Sequence, residues 1–373
     1  MSQLEFNKLI ENGEKALGEF QPELAIQFFS RALLQDGEST RVLDLLGETS
    51  VQVGEPEKAC EYLLKSSQLA PDENPYKWLY LGQLQEAEAS VASFRKGIAM
   101  LTALAQETTD VKVREKLGKE VGKAYCNVAD MYMTDLCMED DAEQQCEEAI
   151  RHATQHDASS LDLGLTLSNL RLSQSRPEEA CTAIDAVYTH IVAALDVQVS
   201  KPILSAFRAD PARGASAGVS ASSSSVGGGE GEGDEGMPDP EMCVSVVKRL
   251  IECAAVKPAL GLAAMEVAQR LLLLDDSNVE LWYLIGVACL YCSPPEVGSA
   301  VEALVRAKEM LEAMAKMGGG SGKGGGKMPE ELECQYGLVC DNLAAAEAMA
   351  EEGAAMDEDN EDEDEDDAEW EAS

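Results

Sequence analysis

Aromatic residues are scarce in this 373-residue chain, at 5%, and histidines number only 3. Few aromatics beside abundant Ala, Leu and Glu argue against sheets and for helices. Positive charge is equally short: 29 Lys and Arg stand against 69 Asp and Glu, for a net charge of −40. Such a surface repels nucleic-acid phosphates and anionic lipid, and it attracts basic polypeptide. No apolar run approaches the ~18 residues of a membrane-spanning helix. Met1–Leu17 carries acid early and no continuous apolar core, so it does not read as a signal peptide. A cytoplasmic and nuclear protein is expected. The 11 cysteines are odd in number. Cys60, Cys126, Cys146, Cys181 and Cys289 fall at apolar helical positions, where a reducing compartment leaves small buried thiols.

What the sequence does contain is a repeat. Gly13 and Gly47 are 34 residues apart, as are Ala25 and Ala59, and Phe29 matches Leu63 at the same offset. That is the period of the tetratricopeptide repeat, an antiparallel helix pair with small residues where its helices touch. One unit cannot bury its apolar face alone, so units stack. Unit one supplies Leu9, Gly13, Ala25, Phe29 and Ala32, and unit two Leu43, Leu46, Gly47, Ala59, Leu63 and Pro71. Unit three opens Trp78-Leu79-Tyr80-Leu81-Gly82 and continues through Ser90, Phe94 and Gly97. Units four and five follow through Cys146, Ile150 and Ala153, then Leu167, Ala180, Ile184 and Val187. A second Trp-to-Gly opening stands at Trp282 to Gly286. The expected fold is all-α, a tetratricopeptide-like superhelical solenoid of about seven helix-pair units with a C-terminal capping helix.

Composition shifts mark the expected boundaries. Repeat units occupy 1–208 and 241–317, separated by a Gly-, Ser- and acid-rich insertion at 209–240. A Gly-rich spacer covers 318–328, the capping helix 329–356, and an acidic tail 357–373. The insertion and tail lack the apolar periodicity that a packed helix requires.

No catalytic constellation emerges. Cys289 and Cys292 form a C-x-x-C without a second ligand pair, inside a predicted helix. His152 and His156 share a helical face, but Ala153 breaks the H-E-x-x-H pattern. The glycine strings precede no GK[ST], and the Asp-rich tail lacks calcium-loop spacing. No enzyme activity, cofactor or metal is expected.

The inner face of the repeat points instead to a binding role. The first-helix positions that face inward hold Glu14, Arg41, Asp44, Glu48, Tyr76, Tyr80, Asn127, Asp130, Asp162, Asn169, Glu280 and Tyr283. Acids, amides and tyrosines suit an extended segment bearing Lys and Arg: carboxylates pair with the cations, and tyrosine rings stack on guanidinium. The clamp that other such repeats use for heat-shock-protein C termini needs Lys, Asn and Arg where this chain has Ile10, Glu14, Leu45, Tyr76 and Tyr80. Glu14 would repel a terminal carboxylate, which excludes that client.

Four stretches carry a family resemblance: Lys77-Trp-Leu-Tyr-Leu-Gly-Gln-Leu84, Phe94-Arg-Lys-Gly-Ile98, Tyr125-Cys-Asn-Val-Ala-Asp-Met-Tyr-Met-Thr-Asp-Leu136 and Ser277-Asn-Val-Glu-Leu-Trp-Tyr-Leu-Ile-Gly286. With the acidic tail, they resemble the fungal assembly chaperones dedicated to the fourth protein of the large ribosomal subunit. The resemblance implies a one-to-one complex with that newly made basic ribosomal protein. Its long internal loop is shielded and the client is carried to the pre-ribosome, with no direct nucleic-acid or membrane contact. Two other readings stay open: a scaffold subunit with an apolar groove, and a histone chaperone acting through the tail.

Overall fold

A computed structural model of the chain describes residues 3–198, 239–318 and 332–351. The described residues hold helices and connecting turns, with no strand among them. They fall into two compact units that divide inside one helix, between Leu170 and Arg171. The expected insertion and spacer lie outside the described residues apart from their edges, and the expected tail lies wholly outside them.

The first unit holds α1 (Gln3–Gly18), α2 (Pro22–Leu33), α3 (Thr40–Gln52), α4 (Pro56–Leu69), α5 (Pro75–Leu84), α6 (Ala87–Glu107), α7 (Val111–Met133), α8 (Ala142–His156) and most of α9 (Leu161–Ser173). Its helices pair as α1 with α2, α3 with α4, α5 with α6 and α7 with α8, and each pair packs on the next. Proline sets several starts, since Pro22, Pro56 and Pro75 fill a first-turn position that needs no N–H. Asp110 starts α7 by accepting from the amides of Lys112 and Val113.

The glycine of each repeat is a notch for one large side chain. A Cβ on Gly13 would stand 2.3 Å from Phe29, on Gly47 2.4 Å from Leu63, and on Gly82 2.7 Å from Phe94. Phe29 and Leu63 are fully buried by this seating. The helices can approach only because the notch has no side chain. The 34-residue spacing of Gly13 and Gly47 thus reports a real packing device.

The second unit runs from Arg171 through α10 (Pro177–Gln198), α11 (Pro240–Ala254), α12 (Ala259–Leu272), α13 (Val279–Tyr291), α14 (Val297–Gly318) and α15 (332–351). α10 packs on α11 and α12, α12 on α13, and α13 on α14. The notch recurs at Gly286, where a Cβ would lie 2.5 Å from Leu304 Cγ. α15 buries Val339, Leu343 and Ala346, a stripe at helical spacing. Tyr336 at its start donates to Glu312 of α14 at 3.1 Å.

The two repeat tryptophans do one job in different units. The Trp78 indole donates to the Pro71 carbonyl at 3.0 Å, and the Trp282 indole to the Asp276 carbonyl at 3.1 Å. Each pins the turn that leads into its own helix. All eleven cysteines are free. Cys126, Cys146, Cys181 and Cys289 are buried as expected, but Cys60 is only half-buried. It follows Ala59, which takes the core-facing position itself.

Candidate protein-binding groove

The N-terminal groove is built by α3 and by the turn between α4 and α5. Thr40, Arg41, Asp44, Leu45, Glu48, Glu73 and Asn74 line an open recess of about 370 Å³. Residues 40, 44 and 48 recur every four positions, so one face of α3 presents them together. Glu14 of α1 joins this group through Arg41, whose guanidinium donates to it at 2.6 Å. Three residues named from the sequence, Glu14, Asp44 and Glu48, are therefore neighbours. Glu73 and Asn74 belong with them and escaped the sequence reading. They sit in a turn, outside the helical register that located the others.

Asn74 organises the recess. Its backbone is left-handed, with φ +46°, a conformation Asn tolerates better than most residues. Its Oδ1 accepts from the Tyr76 amide and caps α5, and its Nδ2 donates to Asp44 Oδ2 at 2.9 Å. Tyr76 and Tyr80 follow on α5, both half-buried. Tyr76 packs partly against the core formed by α6 to α9, so only part of its ring can face a ligand.

A second polar spot lies between α7 and α9. The Asp130 carboxyl is pushed up to about 6, chiefly by burial; a hydrogen bond with Thr166 opposes the shift and Asp162 adds to it. The Cys126 thiol beside them is pushed up to about 12, again mainly by burial. Asn127 and Asn169 are half-buried on the same two helices. Since the folded Asp130 holds its proton more tightly than the unfolded chain does, protonation favours folding. That stability is fully present below about pH 4 and is lost as pH rises through about 6. Asp130→Asn should therefore melt higher than the native chain at pH 7, by on the order of 2–3 kcal/mol at most. The advantage should shrink toward zero near pH 4. Melting curves across this range test it, and an advantage independent of pH would refute it.

Glu280 and Tyr283 belong to the second unit. Glu280 is exposed and pairs with Lys248 at 2.7 Å. The Tyr283 hydroxyl accepts from Asn342 at 3.3 Å and is pushed up by burial. Both are thus already engaged within their unit.

The chemistry-bearing residues outside the groove are accounted for by packing. His152 and His156 stack on Tyr125 with ring centroids 5.0 and 6.1 Å apart. Cys289 and Cys292 are buried, and burial raises both thiols, Cys289 to about 12. Among the described residues no cluster of His, Cys, Asp or Glu is disposed to hold a metal ion. No helix among them is long and apolar enough to cross a membrane.

No protein-family model matches the chain. A Schizosaccharomyces pombe protein described as a probable assembly chaperone of rpl4 is 32% identical over 182 residues, 48% of this chain and 53% of that protein. An Emericella nidulans protein of the same description is 25% identical over 294 residues, 75% of this chain and 63% of that one. The chain thus spans less than two thirds of the length of these curated relatives. Among solved structures, residues 1–338 of the assembly chaperone of RpL4, Acl4, superpose with a TM-score of 0.56 at 26% identity, covering 76% of this chain and 95% of that one. The stretches that suggested a family and the fold built from them lead to the same group, and the chain is a tetratricopeptide-type relative of the fungal assembly chaperones of rpl4.

Proposed function

We propose that this chain is a non-enzymatic chaperone that grips a newly made basic protein of the large ribosomal subunit, the rpl4 of its relatives' descriptions. The observation that carries the reading is the recess of α3, whose lining holds three carboxylates, Asp44, Glu48 and Glu73, and one cation, Arg41, that is already held by Glu14. Excess carboxylate in a recess suits an extended basic segment better than an apolar or acidic one. The client binds one-to-one, stays soluble while its charge is masked, and carries the complex from cytoplasm to nucleus. Ribosomal RNA, with its denser charge, competes the client away in the pre-ribosome.

The test is capture of purified rpl4 by the tagged full chain. Replacing Glu14, Glu48 and Glu73 together by lysine should weaken capture at least tenfold at moderate salt, with helical circular dichroism unchanged. Asp44 and Asp130 stay intact in this variant, because reversing a buried or half-buried carboxylate would confound binding with folding. Affinity of the native chain should fall steeply as salt screens the charges. Capture insensitive to both the reversals and salt would count against the reading.

A further inference from the structure

α7 concentrates positive charge in a chain that has little of it. Its first half, Val111–Lys123, holds five bases, Lys112, Arg114, Lys116, Lys119 and Lys123, against two acids, Glu115 and Glu120. The four lysines stand at i, i+4, i+7 and i+11. They form one stripe within about 60° of the helix circumference, and the two acids fall to either side of it. All four are exposed. Farther along, the same face passes to Asn127 and Asp130, so its charge reverses along the helix. Several other surface lysines are met by acid: Lys15, Lys58, Lys96, Lys248 and Lys257 each pair with a carboxylate. Among the described residues no carboxylate pairs with Lys112, Lys119 or Lys123. A chain of net charge −40 has acid to spare for every lysine. Three left unpaired on one helix face mark a surface whose counter-charge comes from elsewhere. Val111 and Val113, both exposed, flank the start of the stripe.

We propose that this stripe docks the chain's own acidic run, residues 357–369, which holds eleven acids and no base and lies outside the described residues. Spacing and charge both fit. The lysines succeed one another at about 6, 4.5 and 6 Å along the axis, and carboxylates on one side of an extended chain recur at about 6.5–7 Å, so alternate acids can each meet an ammonium. Trp370 follows the run directly, an apolar end that the exposed valines can take up. The tail is favoured over RNA, the other polyanion that lysines in a row attract. A free polyanion must approach against the field of a chain at −40, whereas the tail is tethered, at an effective concentration of about millimolar. The acidic remainder of the surface repels the run, so the stripe is where it settles. The proposal goes beyond the chaperone reading and does not depend on it.

The test uses the full chain. A water-soluble carbodiimide joins carboxylates to amines in contact with them, and mass spectrometry of the monomer band locates the bonds. Acids of 357–369 should join to the four stripe lysines several-fold more often than to Lys8 and Lys316, which are exposed but belong to no stripe. Competition gives an independent readout. A labelled peptide of residues 357–371 should bind the native chain weakly, because the tail already holds the site. Changing Asp362, Asp364, Asp366 and Asp367 to asparagine in the chain should strengthen peptide binding at least about tenfold. Adding Lys112→Gln, Lys119→Gln and Lys123→Gln, all exposed changes, should abolish that binding with the melting temperature unchanged. Replacing Lys8, Lys15 and Lys316 by glutamine removes the same charge elsewhere and should change the affinity less than about threefold.

Cross-links spread evenly over the exposed lysines, or found only between two copies of the chain, would overturn the dock. So would peptide binding that ignores the three stripe changes. If oligouridylate binds the neutralised-tail chain more tightly than the peptide does, the stripe is a phosphate site and the tail is not its occupant. Each of these results leaves the chaperone reading to its own test, the capture of rpl4.

Discussion

Gly47→Ala is expected to lower stability by about 1–3 kcal/mol, although alanine is the better helix former. The added Cβ would lie 2.4 Å from Leu63 Cγ and 2.5 Å from its Cδ2. Cγ is near the root of that side chain, so a rotamer change cannot clear it, and Leu63 is fully buried in an interior that is packed closely. The helices must part, which loosens the α3–α4 contact along its length. Gly118→Ala is the control, because a Cβ there meets nothing within 4 Å. It should gain about 0.5–1 kcal/mol from helix propensity alone. The double variant Gly47→Ala with Leu63→Ala should be less damaged than the sum of its parts, since the second truncation makes room for the first. Urea midpoints of the four variants decide it: equal behaviour at Gly47 and Gly118 would mean the notch has no energetic weight.

Lys77→Met should cost about 2–4 kcal/mol, a large effect for a residue that a sequence reader places on a surface. Lys77 is fully buried. Its ammonium donates to the Ala70 carbonyl at 2.6 Å, to Ser66 Oγ at 3.2 Å and to the Ser66 carbonyl at 3.5 Å. No carboxylate among the described residues pairs with it. The acceptors lie at the C-terminal end of α4, where the helix dipole favours a cation. Methionine keeps the stem's volume but strips Ser66 Oγ of its donor and leaves the Ala70 carbonyl only the longer bond from the Glu73 amide, at 3.3 Å. Ser66→Ala removes only the hydroxyl and should cost about 1 kcal/mol. A Lys77→Met chain as stable as the native one in urea would show that water reaches the Ala70 carbonyl without opening the joint.

The fold was legible where the repeat imposes its spacing. Gly13 with Gly47, and Trp78 with Trp282, were visible because packing demands a small residue or an indole at fixed places. The site was legible only along helices. The inward-facing positions of the repeat's first helix locate Asp44 and Glu48 on α3, but no register reaches Glu73 and Asn74, which a turn carries to the same recess. Lys77 was misleading for the opposite reason. It stands four residues before Leu81, on the same buried face, yet its chemistry suggests solvent. Only the end of α4 explains its position, and that is a tertiary contact. Nor does composition tell an acid that faces a ligand from one that is buried, as Asp44 is.

Each notch is filled by a side chain close by along the chain: Phe29 for Gly13, Leu63 for Gly47, Phe94 for Gly82, Leu304 for Gly286. Closure of every such hairpin needs only a short loop, and chains rich in local contacts fold fast. Synthesis delivers the N-terminus first, so the α1–α2 and α3–α4 pairs can lock while the rest is still on the ribosome. The recess at Asp44 draws on nothing beyond Asn74. It is complete once α5 has emerged, long before its own chain is finished.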